Sequence, residues 1–286
     1  MTHLFRHILF LCFFFCLSAL SAQQTYLFQW NPNDTVAVFG DKINVRSQPS
    51  TDATAVTQLV AGDEVIIEEV STQSSTLNGV TLPWYKVHWN NKKSSGFVWG
   101  GLLSIMSRAV SSDTRFVAGV LKSVKKSAND IREYSFEIRA VRKGVVSGKV
   151  TTTIQTEGSV YLRQIEHGAR DLKGYSTLMI LAIGYETCGN PLHEWYVLWN
   201  GSQLSALPVC KTESDGGDFY HAEYYVFPQE GPDESRPGHY GDESQVFFSV
   251  EQHEREDRED NTGWDENRSV RARLMRWDGK QWIKPK

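Results

Sequence analysis

The chain predicts a mainly β fold in two parts, a small N-terminal barrel followed by a larger β-rich domain. Three observations predict it. Short β-branched and aromatic runs recur between Gly, Pro and Asn turns from about residue 36 to residue 104. Similar runs continue from residue 115 to the end. No long stretch carries the apolar period of an amphipathic helix. Aromatic residues make up 12% of the chain, nine of them Trp, which adds to the β-weighted reading.

The elements are taken in chain order. Arg6, beside His3 and His7, precedes an apolar run from Ile8 to Leu17 that ends in Ser18-Ala19-Leu20-Ser21-Ala22. A basic start, a short apolar stretch and a small-residue end describe a secretory signal peptide over residues 1–22. The run is too short to span a bilayer comfortably. Cleavage is expected after Ser21 or after Ala22. Cys16 is a poor lipidation site, because Phe13-Phe14-Phe15 stand where small residues are wanted. No later stretch is apolar enough to cross a membrane, so the mature chain is expected to be exported, periplasmic or extracellular, with no transmembrane segment. Its roughly 265 residues suffice for two domains.

Residues 23–35 place Tyr26, Phe28 and Trp30 at alternate positions, the pattern of an extra strand. The barrel opens with Ile43-Asn44-Val45-Arg46 and a Pro49-Ser50 turn. Leu59-Val60 then precede Ala61-Gly62-Asp63, and Val65 to Val70 form a second strand. Trp84-Tyr85-Lys86-Val87 and Gly96-Phe97-Val98-Trp99 complete it. Ser107 to Thr114 is polar and small and reads as a linker or edge loop.

The tail begins near Arg115. Phe116–Leu121, Tyr134–Val141, Val150–Ile154 and Val160–Leu162 read as strands. Leu178 to Tyr185 has no polar alternation and predicts a central strand covered on both faces. Trp199-Asn200-Gly201 and Trp277-Asp278-Gly279 sit in similar surroundings, and each is a hairpin signal. They stand either for two unrelated hairpins in a sandwich-like tail or for a repeated unit in a propeller-like one. Between them, Glu251 to Arg268 carries eight acids against three arginines, a long hairpin with a charged tip.

Charge bounds the function. Thirty basic residues against 34 acids give a net charge of -4. That excludes a generic nucleic-acid binder, which needs a basic face. It offers no broad attraction to anionic membranes.

The ordered motifs of the barrel resemble the bacterial SH3 (SH3b) family. They are the Asn44-Val45-Arg46…Pro49-Ser50 start, a leucine before the Gly62-Asp63 turn, Trp84-Tyr85-Lys86-Val87, and Gly96-Phe97-Val98. The resemblance covers residues 36–104. It implies a small barrel that binds cell-wall peptide, peptidoglycan or a protein partner. The whole chain resembles exported bacterial proteins that join one such barrel to a β-rich tail.

Candidate chemistry is sparse. Trp84, Tyr85, Phe97 and Trp99 are strand aromatics; alternation sets Trp84 opposite Tyr85 and Phe97 opposite Val98. Some must build the core, and others could line a groove, where rings give broad contact at low entropy cost. With Arg46 they are the candidate ligand-binding residues. Cys188 could act as a nucleophile with His193 or His221 as base, but Thr187-Cys188-Gly189-Asn190 lies among strands and turns, not at a helix N-terminus. With Cys12 and Cys16 lost with the signal, Cys188 and Cys210 in an oxidising compartment predict a disulfide instead. Its loop of about twenty residues would contribute on the order of 3 kcal/mol. Asp215, Asp218, His221 and Glu223 are too few and too mixed for a calcium or zinc site and read as a Gly-Gly turn entering a strand. Three Asn-x-Ser/Thr tripeptides are taken as chance. No metal and no cofactor is expected. The sequence therefore predicts a non-catalytic envelope protein, with Tyr85 and Trp99 as groove anchors. The alternatives are a cell-wall hydrolase of the cysteine-peptidase type and a structural or assembly factor.

Overall fold

The computed structural model describes residues 25–126, 131–156, 161–184, 191–215, 219–230, 244–257, 264–277 and 281–284. Residues 1–22, read above as a signal peptide, and Cys188 lie outside the described residues, as do Asp218 and Asp278-Gly279. Among the described residues the elements are strands, apart from one short 3-10 turn, so the mainly β class is borne out. None of them is a helix long and apolar enough to cross a membrane.

A two-residue strand, β1 (Thr25–Tyr26), opens the chain. The barrel sheet follows: β2 (Thr35–Ala37), β3 (Lys42–Arg46), β4 (Ala55–Val60), β5 (Glu64–Leu77), β6 (Val80–Trp89) and β7 (Ser94–Trp99). Its order is β2-β5-β6-β7-β3-β4, curled around Val45, Val65, Tyr85, Val87 and Val98. The alternation of β6 sends Tyr85 and Val87 into this core and Trp84 and Leu82 out of it. Trp30 of the lead-in closes one end, its ring edge-on to Tyr85 at 5.1 Å. The extra strand expected there is short; β1 alone pairs, with Tyr161 and Leu162.

The β5–β6 hairpin is longer than the sequence suggested. Val70 pairs with Tyr85 and Ser74 with Pro83, so Ser71, Thr72 and Gln73 stand opposite Trp84 alone. Such an excess on one strand bends a hairpin. Beyond the bend the strands continue to Leu77 and Val80, joined by Asn78-Gly79 with φ of 53° and 76°. Two consecutive positive φ values are those of a type I′ turn, whose twist matches that of the flanking strands.

After the 3-10 turn at Gly100–Leu102, four strands form the sheet β11-β10-β9-β8. They are β8 (Met106–Ala109), β9 (Thr114–Lys125), β10 (Arg132–Arg142) and β11 (Val145–Thr156). Of the stretch Ser107 to Thr114 read as a linker or edge loop, Ser107–Ala109 belong to β8, paired with β9 from Met106↔Ala118 to Ala109↔Arg115, while residues 110–113 are the loop that joins the two strands. The small polar side chains of β8 mimic a loop because one face of this edge strand is exposed. β9 skips Leu121 in its pairing with β10, a bulge that leaves that residue outside the ladder.

The remaining strands are β12 (Tyr161–Gly168), β13 (Thr177–Gly184), β14 (Leu192–Trp199), β15 (Leu204–Ala206), β16 (Cys210–Ser214), β17 (Phe219–Val226), β18 (Phe247–Asp257) and β19 (Trp264–Leu274), with a small hairpin β20 (Arg276–Trp277) and β21 (Trp282–Ile283). β1 and β12 to β19 make a nine-stranded sheet. β13 is central and buried on both faces, as its sequence predicted: Met179, Leu181 and Ile183 face one core, Leu178 and Ile180 the other. The two hairpin signals fall in different sheets, β14–β15 and β20–β21, and do not repeat a propeller blade. β18 and β19 form the long acidic hairpin, whose tip lies outside the described residues.

One core joins all three large sheets. Leu82, Trp84 and Trp99 from the outer face of the barrel meet Phe116, Phe136 and Ile138 of the second sheet and Leu181, Trp195 and Trp199 of the third. Phe116 and Trp199 touch edge to face at 5.7 Å. At about 25 cal/mol per Å² of apolar surface removed from water, a cluster of this size binds the barrel to the tail far more firmly than a linker could.

Candidate functional site

β3 touches β7 at one pair, Arg46↔Phe97, while β4 covers its other side. Toward Lys42 it diverges from β7, and the bent β5–β6 hairpin arches across from the opposite side. The space between is a half-open groove with a volume of about 320 Å³. One wall is the outward face of β3, with Lys42, Asn44 and Arg46 at alternate positions. The other wall is the hairpin, with Ser75, Thr76 and Leu77. Trp84, Trp99 and Leu102 form the floor.

The walls are held from below. Trp84 Nε1 donates to Ser75 Oγ at 2.9 Å. Trp99 Nε1 divides its bond between the carbonyls of Ser75 and Leu82, at 3.0 and 3.1 Å. Both indoles, a cross-strand pair, thus anchor the base of the hairpin. Arg46 donates through Nη1 to the Ala53 carbonyl at 2.6 Å, which fixes its guanidinium at the groove end. Asn44 Oδ1 accepts from Gln58 at 2.9 Å, leaving its amide donors toward the groove.

The hairpin tip is held from outside the barrel. Asn78 Nδ2 donates to the carbonyl of Leu121, the residue that the β9 bulge takes out of its ladder, at 3.2 Å. The Ser123 amide donates to the Asn78 carbonyl at 3.0 Å. The second sheet therefore supports one wall of the barrel's groove.

Of the five sequence candidates, Arg46, Trp84 and Trp99 meet here. Phe97 lies alongside, half-buried, paired with Arg46 and Lys86. Tyr85 does not line the groove: it points into the barrel core, its hydroxyl donating to the Phe28 carbonyl at 3.2 Å. Burial raises its pKa. Strand parity alone could not assign the inner face, because both rings of the Trp84-Tyr85 pair are buried, in different cores. The sequence reading missed Lys42, Asn44 and the Ser75–Leu77 wall. Asn78-Gly79 was the available signal, since a two-residue turn there implies paired strands on both sides.

Two other clefts differ in charge. One, of about 320 Å³, is lined by Asp63, Asp113, Arg115 and Lys143 among others. There Arg142 bonds Asp113 at 2.7 Å, Ser111 and Thr114 add hydroxyl bonds, and the carboxyl pKa falls to about 2. Arg115 pairs with Glu64 at 2.6 Å. The other, of about 180 Å³, includes Asp41 and Arg139, themselves paired at 2.9 Å.

The tail's candidate chemistry takes structural roles. His221 approaches Gln252 at 3.3 Å, and Glu223 accepts from Lys284 at 2.9 Å and from the Lys211 amide at 3.0 Å. Asp215 accepts from the Phe219 amide, closing its turn. His193 is half-buried, and desolvation lowers its pKa. Cys210 is a free, buried thiol, where the sequence predicts a disulfide to Cys188. It starts β16 opposite Glu194 and packs among Tyr196, Tyr225 and Phe248, an apolar setting that raises its pKa. Such a thiol is inert. Without reductant, Cys210 is expected to resist iodoacetamide in the native protein and to label once denaturant is added. Labelling that required reductant as well would restore the disulfide.

The model of the bacterial SH3 domain family matches residues 41–104, the segment that builds β3 to β7 and the 3-10 turn. Domains of this family commonly bind the cell wall. No curated protein and no solved structure matches the chain.

Proposed function

We propose that this is an exported, non-catalytic protein of the cell envelope whose barrel binds cell-wall peptide or peptidoglycan in the groove between β3 and the β5–β6 hairpin. The observation that carries this reading is the groove itself. It lies within the segment matched by a family of wall-binding domains, with ring-floored depth and polar walls suited to an extended chain. The amide of Asn44 and the hydroxyls of Ser75 and Thr51 can serve the backbone of a peptide, and the indoles its apolar parts. The signal-like first 22 residues support export. Among the described residues Asp215, His221 and Glu223 bond to neighbouring groups, which supports a binding role over hydrolysis. A protein ligand of the envelope is the alternative occupant.

The test is retention of the full mature chain on purified peptidoglycan. Asn44→Trp fills the groove from an outward-facing position whose side chain bonds the exposed Gln58. It is expected to lower retention about tenfold, equal to ~1.4 kcal/mol of binding. Absence of retention by the unaltered chain, or equal retention by Asn44→Trp, would overturn the proposal.

A further inference from the structure

We infer that the groove selects an extended peptide by a free carboxylate, which it receives at the Lys42–Arg46 wall. The inference rests on the binding reading above and adds the charge of the ligand. Its source is a contrast between clefts. In the two others, cations stand with acids: Arg142 with Asp113, Arg115 with Glu64, Arg139 with Asp41. The groove is lined by two cations and no acid. Its remaining polar lining is neutral, hydroxyls and one amide.

Geometry sharpens the point. Lys42, Asn44 and Arg46 alternate along one strand face, so both charges and an amide donor point the same way. Arg46 is half-buried, and its Nη1 is used on Ala53, which pre-sets the guanidinium while leaving other N–H donors for a ligand. Lys42 is exposed on the same strand face and adds a second positive charge along the wall. A carboxylate here exchanges water for charge-assisted bonds, about twice as strong as neutral ones.

The overall balance of the chain argues in the same direction. At a net charge of -4 it is repelled by a polyanionic wall as a whole. A local cationic pair is what would reverse that repulsion at the groove. The carboxylates of wall peptides supply the matching anion, and the peptide links between them supply the amides that Asn44 and Ser75 can bond.

The experiment compares purified peptidoglycan with the same material after its carboxylates are converted to amides, at low and at physiological salt. Four proteins are used: the full mature chain, Lys42→Gln, Arg46→Gln and the double substitution. The unaltered chain is expected to be retained about tenfold better on the native wall than on the amidated one. Lys42→Gln, a surface change that should not disturb folding, is expected to lose roughly threefold on the native wall, and the double substitution to fall to the amidated level. None should lose more on the amidated wall. Equal retention on both walls would overturn the carboxylate inference and leave the groove reading standing. A preference for the native wall that survives both substitutions would place the carboxylate contact elsewhere and overturn it too. No retention on either wall would remove the binding reading, and this inference with it.

Discussion

Gly79→Ala is expected to destabilise the protein by about 3 kcal/mol. At φ +76 a non-glycine residue costs about 1–2 kcal/mol. A methyl group at this position would also meet the Ser123 carbonyl oxygen well inside contact distance, with the carbonyl carbon at 3.1 Å. Backbone on both sides leaves no flexible side chain to give way. The tip must lift from β9, and with it go the Asn78 bonds to Leu121 and from Ser123. Each such bond contributes roughly 1 kcal/mol net, and the bulged Leu121 carbonyl would be left without its partner. Asn78→Gly is the control. It keeps a turn that tolerates φ +53 and removes one side-chain bond, so it should cost only about 1 kcal/mol. Urea denaturation of the full chain measures both. Hydrogen exchange should show lost protection at residues 74–83 in Gly79→Ala. An unchanged midpoint would mean that the hairpin does not rest on the second sheet. Because the same hairpin supplies the Ser75–Leu77 wall, loosening its tip should also weaken retention on peptidoglycan.

The barrel was legible from the order of its short strands and turns, Asn44-Val45-Arg46, Gly62-Asp63, Trp84-Tyr85-Lys86-Val87 and Gly96-Phe97-Val98, although β6 places rings on both faces. The central strand β13 was legible for a different reason: both of its faces are apolar, and both turned out to be buried. The hairpin arm was not, and the reason is chemical. Ser71 to Thr76 is a polar run with the composition of a loop, and Pro83 argues against a strand on the other side. Both are tolerated because the strands run beyond the barrel rim, where the three-against-one bend relieves the ladder. β8 was hidden similarly, since Ser107, Arg108 and Ala109 leave one side of an edge strand to solvent. The groove itself was half legible. Arg46, Trp84 and Trp99 were among the candidates, as an arginine and strand aromatics, but parity did not separate them from Tyr85. Lys42 and the hydroxyl wall were not picked out, since they become neighbours only when the hairpin bends and a second sheet takes its tip. Long-range contact of that kind leaves little trace in local sequence pattern. The shared core of Trp84, Trp99, Phe116 and Trp195 is equally non-local.

Trp99→Ala is expected to lower stability by about 4 kcal/mol, and the size of that loss separates two roles for the ring. Read from sequence, Trp99 was a groove anchor. In the structure it is 7% exposed, belongs to the core shared by the three sheets, and covers Gly101 at the start of the path to β8. Truncating a buried aromatic of this kind costs about 3–5 kcal/mol, through lost transfer free energy and the cavity left behind. Two carbonyls, of Ser75 and Leu82, also lose the indole N–H that they share. Trp99→Phe keeps one aromatic ring and loses that donor and part of the buried volume, so about 2 kcal/mol is expected. An anchor would behave differently. Its removal would leave the denaturation midpoint unchanged and lower retention on peptidoglycan alone, because a ligand-facing ring adds nothing to the free protein. A core residue that also floors the groove should lower both in Trp99→Ala, while Trp99→Phe keeps binding within about twofold, since an aromatic floor survives. Measuring the midpoint and the retention of both variants decides between the two. A stable Trp99→Ala protein would overturn the placement of this ring at the junction of barrel and tail.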